Sequence, residues 1–330
     1  MNRIVFICPY FGTIPKGQYK LWLKSCEKNE TIDFILITND EEALSFDLPT
    51  NVKPIKMSWE ECRQLIHKSM DFELAIVYAY KLCDFRPAYG EIFNEYIKGY
   101  DFWGHTDSGD TILGNLRKFL TEDILNTYDK IHIYGHMSLF RNTTENNARY
   151  KIRQTNGLTV EEIFSVEENM CFDDMYQKAS INRIFKENGF AILEEVPGLV
   201  ADVLPHDWNF RLAQDNGKHI PRVFEWREGE LFELTVIGGT VKKREIGYVN
   251  FQKRNVVNKV ADDSSRFYLV PNEFIDADHE LTAEEITEYS KDRLYLAPLK
   301  NRVKRLSWYI NHPKAFMRKV KGKLDQHNKK

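Results

Sequence analysis

Glycine and proline are scarce in this 330-residue chain, 17 and 11 in all, which excludes collagen-like, low-complexity and Pro/Gly-rich disordered architectures. No apolar run approaches the ~18–20 residues that a spanning helix needs. The opening MNRIVFICPYFG is broken at Pro9 too soon for a secretory signal, so a cytosolic product is expected. Cysteine is sparse and odd in number: Cys8, Cys26, Cys62, Cys83 and Cys171 contain no CxxC pair. That arithmetic suits neither a disulfide framework nor a structural zinc, and reads as reduced, mostly buried thiols. Also missing are GxGxxG after a strand, GxxxxGK[ST], GxSxG and HExxH, which removes the usual support for dinucleotide, P-loop, α/β-hydrolase and zincin chemistry.

What is present is the material of an ordered globular protein: 42% hydrophobic, 13% aromatic and 29% charged residues, long enough for one large domain with an appendage. The formal charge of −3 conceals an asymmetry. Residues 300–330 hold eleven Lys and Arg against Asp325 alone, a tail of +10, which leaves the body at −13. An acidic body is unsuited to tracking a nucleic acid backbone, so no nucleic acid partner is expected. In the tail, bases alternate with Leu306, Trp308, Tyr309, Ile310, Phe316, Met317 and Val320, and Pro313 divides two short helical pieces. Bases with aromatic anchors suit an anionic membrane surface, although a solvated tail or an RNA contact has the same composition.

Along the chain, residues 3–8 form a short apolar run ending at Pro9-Tyr10-Phe11-Gly12, the pattern of a buried parallel strand entering a loop. Residues 19–26 carry apolar groups at helical spacing, and 32–38 read as a second buried strand ending at Asn39-Asp40. Two strands ending at polar loops on one edge make a ligand crevice in an open sheet. Residues 52–57 read as a third strand, followed by Ser58 as N-cap with Glu61 at capping-box spacing. Residues 88–97 read as helix, 100–106 and 130–134 as strands, and 161–188 as largely helical. From Arg222 to Arg254 the period changes to alternation, with a Glu228-Gly229 turn that signals a hairpin.

Several constellations carry candidate chemistry. Asp107-Ser108-Gly109-Asp110 follows an apolar strand, where two carboxylates could share Mn²⁺ or Mg²⁺ with substrate phosphates; an Asx turn explains the same spacing. Asp40 is placed to accept hydrogen bonds from a base or ribose, or is a solvated turn residue. Lys81, Asp84 and Arg86 cluster before Pro87, offering a cation for a diphosphate or simply a surface ion cluster. Asp173 and Asp174 sit in an apolar stretch where burial would raise a carboxyl towards general-base range; capping the next helix is the alternative. His206, beside Asp207 in an expected loop, is a candidate metal ligand. His132 and His136 have ligand spacing only on a helix, but their neighbours alternate as in a strand, so a zinc pair is not supported.

Seven stretches together carry a resemblance: Phe6-Ile-Cys-Pro-Tyr-Phe-Gly12, Trp22-Leu-Lys-Ser-Cys26, Ile37-Thr-Asn-Asp40, residues 80–90, residues 100–107, Gly135-His-Met-Ser-Leu-Phe-Arg-Asn142 and residues 247–254. Over roughly residues 1–255 the chain resembles a bacterial family of glycosyltransferase-like proteins from capsule and exopolysaccharide loci. The resemblance implies a GT-A-like α/β fold, a mixed sheet flanked by helices; the change of period after Arg222 adds a β-rich C-terminal module, and the composition of the last thirty residues a basic helical tail. The chain is expected to divide into a nucleotide-sugar and catalytic domain (1–220), a β-hairpin module completing the site (221–260), a connector (261–299) and the membrane-proximal tail (300–330).

The resemblance further implies a nucleotide-diphospho-sugar donor, UDP-sugar favoured, and a lipid-linked saccharide acceptor, and the basic tail is expected to dock the protein on the inner face of the plasma membrane. Mn²⁺ or Mg²⁺ would be held by the acidic motif through Asp107 and Asp110, with His206 added from its loop position as a further candidate ligand, and Asp173 or Asp174 would act on the acceptor. The donor site would take Pro9, Tyr10, Phe11, Asp40, Lys81, Asp84, Arg86 and Asp107. The sequence departs from the family pattern in two places. The acidic motif is one residue longer than Asp-x-Asp, and Asn250 stands where a His is expected. A non-catalytic carbohydrate-binding or scaffolding member of a capsule assembly complex is therefore the alternative.

Overall fold

A computed structural model describes residues 1–252, 254, 256–296 and scattered positions between 303 and 317. The first strand sets the architecture. In β1 (Ile4–Tyr10) the side chains of Val5 and Ile7 enter one apolar cluster and those of Ile4, Phe6 and Cys8 enter another. A strand buried on both faces must lie inside a sheet covered on both sides. Around it run β2 (Ile32–Thr38), β3 (Val52–Lys56), β4 (Phe102–Thr106), β5 (Thr111–Leu113), β6 (Lys130–Tyr134), β7 (Met137–Arg141), β8 (Ile192–Leu193) and β9 (Val200–Asp202). Seven of these make a mixed sheet of order β3-β2-β1-β4-β7-β6-β8, with β1 parallel to both β2 and β4 and β7 antiparallel to β4 and β6. The helix Lys16–Glu27 covers one face through Tyr19, Trp22, Leu23 and Cys26. Gly104 in β4 allows close packing: a Cβ there would lie 2.5 Å from the Ser138 carbonyl and 2.9 Å from the Phe6 ring.

The C-terminal part continues with β10 (Arg222–Arg227), β11 (Glu230–Ile237), β12 (Thr240–Ile246), β13 (Tyr248–Asn250), β14 (Val257–Asn258), β15 (Arg266–Val270) and β16 (Glu273–Asp276). Six of them form a second sheet, β12-β11-β10-β15-β16-β14. Its first hairpin turns at Glu228-Gly229, where φ values of 51° and 94° give the doubly left-handed turn that suits strand twist. One face of this sheet packs Phe224, Trp226, Phe267 and Phe274, while the other packs Val223, Leu234, Tyr268 and the helix Ala283–Tyr289. The remaining strands β5, β13 and β9 form a small sheet between the two larger ones. Along β13 the side chains alternate: Tyr248 joins the core of the first sheet and Val249 that of the second.

The strand expectations at 3–8, 32–38, 52–57, 100–106 and 130–134 are met within a residue or two, and the Ser58/Glu61 capping box is formed. Three expectations need correction. Residues 88–97 form only the single turns Tyr89–Ile92 and Asn94–Tyr96, since Gly90 and aromatic residues give little helix propensity. The stretch 161–188 contains two short helices, Val160–Phe164 and Ile181–Glu187, separated by an irregular segment that carries Asp173 and Asp174. The expected connector 261–299 instead holds β15 and β16, the latter carrying the edge strand β14, and a capping-box helix that covers the sheet. Most of the basic tail lies outside the described residues. Among the described residues no helix is long and apolar enough to cross a membrane.

Candidate functional site

From β1 the chain proceeds outward to β2 and β3, then returns to add β4 on the opposite side of β1. Loops leaving the carboxyl ends of β1 and β4 therefore diverge, and a crevice opens where the direction of strand addition reverses. A cavity of about 720 Å³ occupies this place, within the range of small-molecule sites. Its walls come from Pro9, Tyr10 and Phe11 after β1, from Asp107, Ser108 and Asp110 after β4, and from Arg86, Gly135 and His136. Asp173 and Asp174, Asp202 and His206, and Asn250 and Gln252 also contribute.

Arg86 is the one Arg or Lys among the described residues of the lining. Its Nη1 donates to Asp173 Oδ2 at 2.9 Å and to the Gly135 carbonyl, and its Nη2 donates to Asp107 Oδ1. Burial opposes the guanidinium charge, but Asp107 and Asp173 outweigh it and hold Arg86 protonated. Asp173 itself is 4% exposed, and burial raises its carboxyl to about 7 against the pull of Arg86. Asp174 Oδ1 accepts from the backbone N–H groups of Gly135 and Met175, both at 3.0 Å. Gly135 is needed for this close approach: a Cβ would stand 2.9 Å from Asp173 Oδ2 and 3.2 Å from Asp174 Cβ.

Sequence reasoning thus brings Pro9, Tyr10, Phe11, Arg86, Asp107, Asp110, Asp173, Asp174 and His206 into one cavity. Three candidates lie elsewhere. Asp40 caps the helix Glu41–Leu44: its Oδ1 accepts from Glu42 and Ala43 N–H, and its Oδ2 from Ile14 N–H at 2.8 Å. Lys81 and Asp84 are fully buried and paired at 2.7 Å. Lys81 also donates to the carbonyls of Ile163 and Glu168, while Asp84 accepts from Met170 and Phe172 N–H. This pair fastens the segment before Asp173 and does not reach the cavity.

Asp107, Asp110 and His206, the expected Mn²⁺ or Mg²⁺ ligands, all line the cavity. Among the described residues no three His, Cys, Asp or Glu side chains converge to hold a metal ion. Asp107 is already bonded to Arg86, and at Asn250, where a histidine was expected, the amide donates to Asp202 Oδ1 at 2.9 Å. Asp202 itself was missed, and its signal was slight, a lone acid ending the short run Val200–Asp202. It lies directly across the ladder from Asn250, and its Oδ1 also accepts from Gln252 Nε2 at 2.8 Å.

Among solved structures, the apo form of mouse xyloside xylosyltransferase 1 overlaps at 8% identity and a TM-score of 0.37, over 61% of this chain and 88% of that chain. Two structures of the glycosyltransferase GlyE from Streptococcus pneumoniae TIGR4, one of them the apo form, overlap at 13% and 17% identity, each with a TM-score of 0.33. The chain spans 45% of GlyE, which covers 59% of this chain. Overlaps this loose establish neither the fold nor the chemistry. No curated protein matches the sequence. A family model matches residues 6–278, and the chain belongs to that family, a family of unknown function designated DUF6625.

Proposed function

We propose that the protein is a glycosyltransferase whose cavity takes a nucleotide-diphospho-sugar. The observation that carries this reading is the position of the cavity at the reversal point of an open α/β sheet, lined by aromatic groups on one side and, among the described residues, by one guanidinium on another. Tyr10 and Phe11 offer ring faces to a base. Arg86, held in place by Asp107 and Asp173, offers its guanidinium charge to a phosphate. In the reaction, the bond between the anomeric carbon and the phosphate oxygen breaks as a bond to the acceptor oxygen forms. The nucleoside diphosphate leaves with the electron pair and the acceptor hydroxyl passes its proton to the Asp174 carboxylate, which lines the cavity. Arg86 would stabilise the charge that develops on the leaving oxygen. In this arrangement Asp173 serves to hold Arg86.

The finer reading follows the motif resemblance: a UDP-sugar donor, a lipid-linked saccharide acceptor and bacterial surface polysaccharide synthesis beside an anionic membrane. One observation favours the non-catalytic carbohydrate-binding alternative: Arg86 is already bonded to two carboxylates, which would compete with a diphosphate. A thermal-shift panel of UDP, GDP, CMP and UDP-sugars, run in EDTA and again with Mn²⁺, separates the two. A shift with one nucleotide, reduced in Arg86→Gln, supports the transferase, because a ligand that binds only the native state raises its melting temperature. No shift in folded protein under either condition refutes it.

A further inference from the structure

Among the described residues, the large apolar side chains of the cavity lining are buried or half-buried with two exceptions: Tyr80 is 51% exposed and Met175 is 42% exposed. In both cases the backbone is tied inward while the side chain stays out. The Tyr80 carbonyl accepts from Asn169 Nδ2 at 3.4 Å. The next residue is Lys81, whose buried ammonium bonds Asp84 and the carbonyls of Ile163 and Glu168. The Met175 carbonyl accepts from the fully buried Asn182, through Nδ2 at 3.1 Å, and from Ser180 Oγ. Open apolar groups on a fixed backbone are already arranged for a contact and lose little freedom in making it.

Both residues adjoin the groups that the transfer uses. Burial raises the Tyr80 hydroxyl above the ordinary tyrosine range, and Cys83, Arg86, Asp173 and Asp107 are near enough to act on it electrostatically. A half-exposed side chain whose hydroxyl is surrounded by protein belongs to a concave wall, so the open part of Tyr80 faces the cavity. Met175 directly follows Asp174. Asp174 Oδ1 is occupied by the backbone N–H groups of Gly135 and Met175, which leaves Oδ2 for an acceptor hydroxyl. An acceptor whose hydroxyl reaches Asp174 therefore arrives beside Met175, and Tyr80 is the other open apolar group of the wall.

We propose that Tyr80 and Met175 form the platform on which the acceptor saccharide lies, with the C–H face of a pyranose ring against them and one ring hydroxyl at Asp174 Oδ2. A pyranose suits this place because it has both characters at once. The C–H bonds of its face cover aromatic and thioether surface, while the hydroxyls of its edge stay in water or meet the carboxylate. A lipid chain would cover the same surface but bring no proton to Asp174. The tyrosine supplies a rigid ring and the methionine an adaptable neighbour, a combination that accepts sugar rings of differing substitution. The inference rests on the reading that the cavity transfers a sugar, and it adds where the acceptor is held.

Saturation-transfer NMR with the methyl glycosides of glucose, galactose and N-acetylglucosamine tests the platform, since a methyl aglycone cannot itself stack. Wild type is expected to saturate the ring C–H protons of at least one glycoside, and to do so also with the best-binding nucleotide-sugar present. In protein of unchanged melting temperature, Tyr80→Ala and Met175→Ala should each weaken that glycoside by about three- to thirty-fold. Tyr80→Phe keeps the ring and should bind as wild type does. Unchanged affinity in either alanine variant, displacement of the glycoside by the nucleotide-sugar, or no glycoside signal with wild type overturns the proposal. Glycoside binding through Tyr80 in a wild type that takes no nucleotide-sugar sinks the donor reading alone and leaves the saccharide platform standing.

Discussion

Replacing Asp84 by Ala tests whether the cavity wall depends on a buried ion pair. Asp84 is fully buried, accepts from Lys81 Nζ at 2.7 Å, and also accepts from Met170 N–H at 2.8 Å and Phe172 N–H at 3.0 Å. Its removal leaves an uncompensated ammonium in the interior, which costs about 3–5 kcal/mol when one partner of a buried pair is deleted. The two backbone donors would each add about 1–3 kcal/mol if they stayed unmet, so relaxation of the 170–172 turn is expected. That turn leads directly into Asp173 and hence to Arg86. Urea unfolding followed by Trp fluorescence should therefore show Asp84→Ala less stable by about 3–5 kcal/mol. The double variant Lys81→Met/Asp84→Ala should lose less than the sum of the two single changes, since neither charge is then left alone. A loss under about 1 kcal/mol for Asp84→Ala, the range of exposed pairs, would refute this account of the wall.

The remaining predictions concern packing and protonation. Gly104→Ala places a methyl 2.5 Å from the Ser138 carbonyl and should destabilise by about 1–3 kcal/mol in the same urea assay, whereas an unchanged midpoint would contradict the packing of β4 against β7. For Asp173 the folded carboxyl, raised to about 7, holds its proton longer than the unfolded one near 3.8. Its contribution to stability is then full below about 3.8 and is lost as pH rises through about 7. Unfolding free energies measured from acid to neutral pH should accordingly show wild type losing ground to Asp173→Asn as pH rises, and a flat or opposite difference would show the carboxyl ionised throughout.

The sheet was legible because strands buried on both faces leave continuous apolar runs, such as residues 4–8 and 34–37, and because Ser58 and Glu61 form a local capping box. The second sheet was legible only as far as the Glu228-Gly229 turn. The run Arg266–Val270 has a strand's composition, but its partner β10 lies some forty residues back, and pairing over such a separation leaves no periodic sign. The site divides along the same line. Residues at strand ends, Tyr10 and Asp107, could be placed because the ends of parallel strands meet at one edge. Asp40 and Asp84 are chemically indistinguishable from them in sequence, and only the backbone donors that surround each reveal a cap and a latch. Asp202 and Tyr248 acquire their meaning from β13, which pairs with β9 and β5 at once.

The central claim is that a nucleotide-sugar occupies the crevice between the ends of β1 and β4. Hydrogen–deuterium exchange with and without the nucleotide-sugar that most raises the melting temperature tests it most directly. The account predicts slowed exchange in the segments 9–11, 107–110 and 202–206, whose side chains contribute to the cavity wall. Slowing confined to the six-stranded sheet, or none anywhere, would contradict it.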